Sequence, residues 1–254
     1  MSKMKKIVSA GPLVLEAIYP RCSAHDTPRQ RAGKRKLSSE AQQRMNQKYS
    51  FQKLELQLAA NYLPGDLFVT LTYDDAHLPA NRVQAERCFA YFLRKLRAAR
   101  GKRSQPVVHW ATEHKHEHES FWEDRRWHHH FFVNATGADF ETVRRCWPYG
   151  SNVHFEILRI DKDHSYEELA RYLCKEARDR PGLRSWSYTR NARHPEIETF
   201  TVPDDTPLQA PKGATVYEEA GERTEWGSYR YVKYLAPNWR RGIRRPRPRP
   251  KRRR

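Results

Sequence analysis

The segment that most constrains this chain is Arg-Trp-His-His-His-Phe-Phe-Val, which occupies residues 126–133. Its apolar flanks predict a β-strand of the core, because a tract of surface histidines would not follow Trp127 and precede two phenylalanines. Side chains alternate between the two faces of a strand, so His128 and His130 share one face and His129 lies on the other. Two imidazoles side by side can chelate a divalent ion. The segment therefore predicts a metal site, with a chance cluster of surface histidines as the alternative.

A carboxylate of the preceding strand could complete this site. The sequence Val-Val-His-Trp-Ala-Thr-Glu ends at Glu113, and a hairpin would place that strand beside the histidine strand. Two imidazoles and one carboxylate suit Mn²⁺ or Mg²⁺ with open positions for phosphate oxygens, and they also suit zinc. Glu113 is the predicted third ligand, although further residues compete for this role, namely His114, His116, Glu117 and His118. We interpret His116 and His118 as solvated residues of the hairpin.

A candidate nucleophile lies on a helix further along the chain. Ser165 and Glu168 form a capping box at the start of this helix. Tyr172 and Lys175 share one face because they are three residues apart. A phenol has an ordinary pKa of about 10, so it needs a nearby cation to act as a phenolate. Tyr172 could then attack a phosphodiester, and an ordinary tyrosine at the core boundary is the alternative.

The order of the elements predicts an α+β fold. Helices are expected near residues 38–62, 83–100 and 140–147 and after Ser165, and strands near residues 67–73, 107–113, 127–134, 153–160 and 227–235. From Leu67 onward this order is typical of a central antiparallel sheet of about five strands with helices on one face, a ferredoxin-like palm. Residues 1–36 are expected to form an N-terminal edge strand and a basic arm, residues 37–238 the main domain, and residues 239–254 a disordered tail.

The charge of the chain limits its partners. Lys and Arg number 48 against 30 acidic residues, so the formal net charge is +18. This excess predicts a polyanionic partner, either nucleic acid or an anionic membrane. No apolar run approaches the roughly 18 residues of a spanning helix. Pro12 and Glu16 interrupt the stretch that faintly resembles a signal peptide. Nucleic acid is therefore the expected partner.

The cysteines indicate the compartment. The four cysteines are Cys22, Cys88, Cys146 and Cys174, and they include no C-x-x-C pair. Their spacing favours neither a zinc knuckle nor a redox motif. A disulfide scaffold is not expected from so few cysteines, which predicts a reducing cytoplasm.

Several basic and aromatic side chains are candidates for contacts with DNA. Arginines can neutralise phosphates, and tryptophans can stack on unpaired bases. The residues selected on these grounds are Arg94, Arg97, Arg125, Arg126 and Trp147. Core packing is the preferred interpretation of Trp110 and Trp127. The arginines of the tail are expected to add affinity that depends on salt but not on base sequence.

Three segments, in this order, resemble motifs of the HUH endonuclease superfamily, in particular the rolling-circle replication initiators of small phages, prophages and plasmids. The segment FVTLTYDD (Phe68–Asp75) resembles the first motif of that family, RWHHHFF its His-hydrophobic-His metal motif, and YLCK its tyrosine-x-x-lysine motif. The segments NYLPGD and RSWSYTRN are similar to the phage-type branch. The resemblance covers residues 34–234.

This resemblance implies a fold and a set of roles. The family fold is a five-stranded antiparallel sheet with helices. The implied metal ligands are His128, His130 and Glu113, and the implied ion is Mn²⁺ or Mg²⁺. The implied nucleophile is Tyr172, with Lys175 as its helper. Such a protein initiates rolling-circle replication by nicking and rejoining single-stranded DNA, with a 5′-phosphotyrosine intermediate and a free 3′-OH.

Two features qualify the resemblance. His129 occupies the middle position of the metal motif, where the family usually has a hydrophobic residue, but strand alternation favours His128 and His130 as the ligand pair. The YLCK segment has a single tyrosine, Tyr172. Tyr166 precedes it by six residues and lies off that helix face, so the chain resembles the single-tyrosine type.

The expected partners follow from the same interpretation. They are single-stranded DNA at a replication origin, with a hairpin expected there, and a host helicase and polymerase in the bacterial cytoplasm. A helicase is expected because the sequence has no G-x-x-x-x-G-K-[ST] loop. A transposase or relaxase of the same chemistry and a non-catalytic basic nucleic-acid-binding protein are the alternatives. A pure binder would need no divalent ion and would form no covalent adduct with DNA.

Overall fold

The computed structural model describes residues 3–20, 40–116, 125–158, 166–174, 185–224 and 227–237. The chain divides into two compact units, residues 28–194 and residues 1–27 with 195–254. Several predicted features lie outside the described residues, namely the basic arm, the helix start at Ser38 or Ser39, the tip of the hairpin with Glu117 and His118, Ser165, Lys175 and the tail.

The helices and strands are numbered along the chain. The helices are α1 (Glu40–Asn61), α2 (Arg82–Arg100), α3 (Asp139–Cys146) and α4 (Glu167–Leu173). The strands are β1 (Lys3–Ala10), β2 (Leu13–Pro20), β3 (Leu67–Leu71), β4 (Val108–His116), β5 (Arg125–Val133), β6 (Val153–Ile157), β7 (Ser187–Tyr188), β8 (Glu196–Val202), β9 (Thr215–Thr224) and β10 (Gly227–Leu235).

The larger unit is built on a five-stranded sheet with the order β6-β3-β5-β4-β7. All of its pairs are antiparallel. The histidine strand β5 lies at the centre, between β3 and β4. In this register His130 lies between Thr70 of β3 and Ala111 of β4, and Glu113 of β4 lies opposite His128.

One face of this sheet, here called the core face, packs against α2 and α3. Phe131 on β5 is fully buried and contacts Phe89 and Phe92 of α2. Helix α2 forms because its apolar residues recur at spacings of three and four, so that one side of the helix is buried. The helix begins at Asn81, whose side chain accepts a hydrogen bond from the backbone N–H of Gln84, and ends before Gly101. At Gly101 φ is 70°, a conformation that favours glycine.

The opposite face, here called the histidine face, packs against α1 and α4. Tyr62, just after α1, packs its ring on Phe132 of β5 and on His109 of β4. Its hydroxyl lies 2.9 Å from Nδ1 of His109. Helix α4 approaches the same face at Phe68 and His130 through Tyr172. Adjacent residues of β5, Phe131 and Phe132, are thus buried under different helices.

The smaller unit is a second antiparallel sheet of five strands, with the order β8-β1-β2-β10-β9. Ile18, Val232 and Tyr234 form its core together with Leu208, which lies between β8 and β9. The buried hydroxyl of Tyr234 donates a hydrogen bond to the carboxylate of Glu16 at 2.6 Å. The sheet joins strands from both ends of the described chain.

The predicted α+β class and the central five-stranded antiparallel sheet are confirmed. The prediction of helices on one face is wrong, because Phe132 and Phe131 point in opposite directions and both are buried under helices. The N-terminal segment contributes two strands, β1 and β2, and neither is at an edge. The predicted main domain of residues 37–238 divides after His194, because β8, β9 and β10 pair with β1, β2 and each other.

Candidate active site

The predicted site residues on β4 and β5 meet on the histidine face. His128 and His130 point to the same side of β5, with ring centroids 6.5 Å apart and ring planes 12° from parallel. Glu113 faces them from β4, because residues directly opposite in an antiparallel pair share a face. Its carboxylate is fully buried, and its Oε2 lies 3.5 Å from Nε2 of His130. The sheet thus places two imidazoles and a carboxylate side by side.

Hydrogen bonds orient both imidazoles. Nδ1 of His128 lies 3.0 Å from the carbonyl oxygen of Arg126. A carbonyl only accepts hydrogen bonds, so Nδ1 of His128 carries the hydrogen and Nε2 of the neutral ring carries the lone pair. Nδ1 of His130 lies 2.9 Å from the hydroxyl of Thr70, which directs its Nε2 toward Glu113. Partners of this kind orient histidines that bind metals.

Tyr172 lies beside the histidine pair. Its hydroxyl is 3.4 Å from Nε2 of His130, and the two rings meet edge to face with centroids 5.3 Å apart. The side chain is 39 % exposed, so substrate can reach it. Burial of part of the ring raises the pKa of the Tyr172 phenol, and the negative charge of Glu156 on β6 adds to this increase. The phenol is therefore protonated at neutral pH unless a cation lies close to it.

The donor atoms of this group suit a divalent metal ion by their chemistry. Imidazole nitrogens and a carboxylate together bind Mn²⁺, Mg²⁺ or Zn²⁺. Within the described ranges, no three His, Cys, Asp or Glu side chains are already arranged as a metal-binding group. His128, His130 and Glu113 therefore share a face and a register without a complete coordination geometry.

His129 lies on the core face. Its ring is fully buried and stacks on Phe89 with centroids 4.8 Å apart. Its Nε2 is 2.7 Å from the hydroxyl of Tyr73, and its Nδ1 is 3.0 Å from that of Thr112. Burial lowers the pKa of His129 to about 3, with the neighbouring histidines contributing next. The alternation predicted for the three histidines is confirmed, and His129 is a neutral core residue.

The predicted DNA-contacting residues lie in different places. Arg126 pairs with Asp75 at 2.6 Å near the start of β5. Arg94 and Arg97 are exposed on α2 and line a groove on the core-face side of the sheet. The side chains of Arg125 and His116 lie outside the described residues, as does Lys175.

The stacking role predicted for Trp147 is wrong for this fold. The residue is only 3 % exposed, and its ring packs edge-on against Phe92 and Tyr73. Its indole N–H donates to the carbonyl of Thr72 at 2.8 Å. The ring therefore has no face open to a base. The interpretation of Trp127 as a core residue is confirmed, with 7 % exposure.

Two residues of the site were not assigned from the sequence. Thr70 lies within the motif FVTLTYDD, and its alternation with Val69 and Leu71 could have placed it on the histidine face. Glu156 alternates in the same way on β6, opposite Phe68. No feature of the sequence indicates that Glu156 lies close enough to Tyr172 to influence its pKa.

Comparison with known families addresses the resemblance directly. Residues 66–179 match the family model described as Replication-associated protein ORF2. Over these residues the chain is similar to replication-associated proteins. The matched region runs from the start of β3 past the end of α4 and includes every site residue from Thr70 to Tyr172. The resemblance to a replication-associated family is therefore confirmed.

Searches of curated proteins and of solved structures gave no significant match. None of the helices in the described ranges has both the length and the apolar character of a membrane span.

Proposed function

We propose that this protein initiates replication by nicking and rejoining single-stranded DNA at a specific site, with Tyr172 as the nucleophile. The observation that carries the proposal is the position of the Tyr172 hydroxyl, 3.4 Å from Nε2 of His130, on the face that also carries His128 and Glu113. Helix α4 and strand β5 are distant in sequence, and a core role for Tyr172 would not require its exposed hydroxyl to lie beside this histidine. The match to a replication-associated family over the same residues supports the proposal.

The chemistry is a phosphodiester exchange that conserves the number of phosphate ester bonds. The phenol oxygen of Tyr172 bonds to phosphorus, the bond between phosphorus and the 3′ oxygen breaks, and the phenol proton replaces phosphorus on that oxygen. The products are a 5′-phosphotyrosine and a free 3′-OH. The reverse exchange rejoins the strand, so the protein can both open and close DNA without another energy source.

A divalent ion is the proposed cofactor, Mn²⁺ or Mg²⁺, held by Nε2 of His128, Nε2 of His130 and the carboxylate of Glu113. When bound, the ion would supply Lewis-acid polarisation of the phosphate. The buried position of Glu113 favours ion binding, because a buried carboxylate is stabilised by a nearby positive charge. Thr70 and the Arg126 carbonyl keep the two imidazoles in the orientation that this set needs.

The raised pKa of Tyr172 indicates what else the reaction needs. A protonated phenol is a weak nucleophile, so positive charge near the hydroxyl must favour the phenolate. We assign this role to the bound ion and to Lys175, which follows Tyr172 by three residues and lies outside the described part of the chain. The proposed partners are origin DNA, with a hairpin at the nicking site, and a host helicase and polymerase in the bacterial cytoplasm.

The test is the formation of a covalent protein–DNA adduct. The protein is incubated with labelled single-stranded DNA from its own upstream region, in Mn²⁺ or in EDTA, and resolved under denaturing conditions. We expect a denaturant-resistant adduct that requires the ion and disappears in Tyr172→Phe. Tyr49→Phe is the matched control, because Tyr49 is 61 % exposed on α1 and lies outside the proposed site.

Two outcomes would contradict the proposal. An adduct that persists in Tyr172→Phe would assign the nucleophile to another residue. Binding of DNA without an adduct in any divalent ion would indicate a non-catalytic nucleic-acid-binding protein.

A further inference from the structure

A groove separate from the candidate active site opens on the core-face side of the larger unit, between α2 and the strands β4 and β7. Its volume is about 800 Å³. Its walls include four arginines of α2 and two tryptophans of the sheet edge, namely Arg82, Arg87, Arg94, Arg97, Trp110 and Trp186. Trp110 lies opposite Phe131 of β5 and therefore on the core face, whereas His130 and Tyr172 are on the histidine face. The sheet thus separates this groove from the proposed nicking site.

The groove carries a net positive charge. Its acidic residue Glu86 forms an ion pair with Arg82 at 2.9 Å, so these two charges offset each other. Arg87, Arg94 and Arg97 are exposed, and none of them has an acidic partner among the described residues. They are spaced seven and three residues apart and share one side of α2, so their charges are distributed over ~15 Å of helix. A row of this kind fits the repeating phosphates of a nucleic-acid strand.

Aromatic rings accompany these charges. Trp110 is partly exposed in the groove and is supported from below by Phe89, with ring centroids 5.3 Å apart. The guanidinium of Arg94 lies over the ring of Tyr91 at 5.3 Å, which restricts its position toward the groove. A partly exposed tryptophan beside a row of arginines can stack on an unpaired base while phosphates contact the arginines. Bases within a duplex are already stacked on each other and do not offer a face to Trp110.

We propose that this groove binds single-stranded DNA as a second site, independent of the cleavage chemistry at Tyr172. The arginines Arg87, Arg94 and Arg97 hold phosphates, and Trp110 stacks on a base. The inference assigns a surface to Arg94 and Arg97 and adds Arg87 and Trp110 to it. A strand held here lies on the opposite side of the sheet from the strand that is cut, so the protein can retain one part of its DNA while it acts on another.

The test measures reversible binding in the full chain carrying Tyr172→Phe, in EDTA, so that cleavage does not contribute. The probe is a labelled oligothymidylate, which contains no nicking site. The variant combines Arg87→Gln, Arg94→Gln and Arg97→Gln. The control combines Arg145→Gln, Arg190→Gln and Arg193→Gln, which removes the same charge from exposed positions outside the groove.

We expect the groove variant to lower the slope of log affinity against log salt by about 2, because each single-strand phosphate contact contributes about 0.7. The control should leave the slope close to that of the parent. Equal losses in the two variants, or no loss in the groove variant, would overturn the proposal. Absence of a covalent adduct in the parent protein would bear only on Tyr172, so the two proposals fail separately.

A second measurement tests the stacking contact and the choice of strand. Trp110→Phe should reduce the quenching of tryptophan fluorescence by oligothymidylate, and unlabelled single strands should displace the probe far better than a duplex of equal length. Unchanged quenching in Trp110→Phe would exclude Trp110 from the contact. Equal competition by the duplex would show that the groove binds double-stranded DNA and would overturn the assignment to single strands.

Discussion

Two faces of one strand use the same residue in different ways. On the histidine face of β5, His128 and His130 present their imidazoles beside the carboxylate of Glu113 and the hydroxyl of Tyr172. On the core face, His129 is enclosed by aromatic rings and bonded to two hydroxyls. Strand geometry decides the face, and the helix that covers each face decides the environment. Adjacent histidines can therefore be separated into a reactive pair and a structural residue.

The comparison predicts that the largest change in activity comes from the histidine face. His130→Ala should reduce metal-dependent adduct formation by more than about 100-fold, because even the partners of metal ligands change affinity or activity by about 10–100-fold. The rate of adduct formation in saturating Mn²⁺ measures this effect. His77→Ala, at an exposed position, is the control and should retain the parent rate. Full activity of His130→Ala would remove His130 from the proposed site.

The core face should show the largest change in stability. His129→Ala removes a buried ring and its bonds to Tyr73 and Thr112, and we expect a loss of about 3 kcal/mol in the free energy of unfolding. Urea denaturation measures the loss. His128→Ala should cost less than about 1 kcal/mol, because that ring is only partly buried. Equal losses in the two variants would contradict the division between the faces.

His109 sharpens the comparison, because it lies on the histidine face but beneath Tyr62. Burial lowers its pKa from 6.5 to about 3. The unfolded chain therefore binds a proton at His109 between these pH values and the folded chain does not. Stability contributed by the neutral ring is complete above pH 6.5 and is lost as the pH falls toward about 3.

The measurement is the free energy of unfolding as a function of pH in the parent and in His109→Gln, which keeps hydrogen-bonding groups but does not titrate. Below pH 6.5 the parent should lose up to about 1.4 kcal/mol per pH unit more than the variant. Parallel curves would show that His109 is charged in the folded protein. Burial under a helix, rather than the face alone, would then not determine the state of a histidine here.

The smallest expected effect concerns the residue that orients His130. Thr70→Val keeps the shape of the side chain but removes the hydroxyl 2.9 Å from Nδ1 of His130. We expect about tenfold weaker binding of Mn²⁺, read from the ion concentration that gives half-maximal adduct formation. Thr72→Val is the control, because the Thr72 hydroxyl donates to the carbonyl of Asn152 rather than to a site residue. A parent-like ion dependence in Thr70→Val would exclude this orienting role.

Much of the sheet could be predicted because its patterns are local. The alternation in residues 126–133 assigned His128 and His130 to one face and His129 to the other, and the register of β4 and β5 confirms this. The preceding strand was identified by its β-branched and aromatic residues, and its last predicted residue, Glu113, lies opposite His128. Such patterns depend only on neighbouring backbone geometry.

Other features required long-range contacts. Trp147 follows a short basic helix and was expected to be exposed, but α2 and β3 enclose its ring. The strands β8 and β9 have few buried residues, so their sequence resembles loops, and pairing with the ends of the chain defines them. A residue's burial depends on what packs against it from distant parts of the chain.

The sequence alone determined the nature of the partner and the chemistry available, because charge and residue type do not depend on folding. A formal charge of +18 indicates a polyanion, and imidazoles, a carboxylate and a phenol are the groups that phosphodiester chemistry uses. Tertiary structure alone decided which of these groups meet. It placed Tyr172 of α4 beside His130 of β5, because α4 packs on the histidine face, and it put the arginines of α2 on the opposite side. Distances between groups remote in sequence follow from packing, which no local pattern specifies.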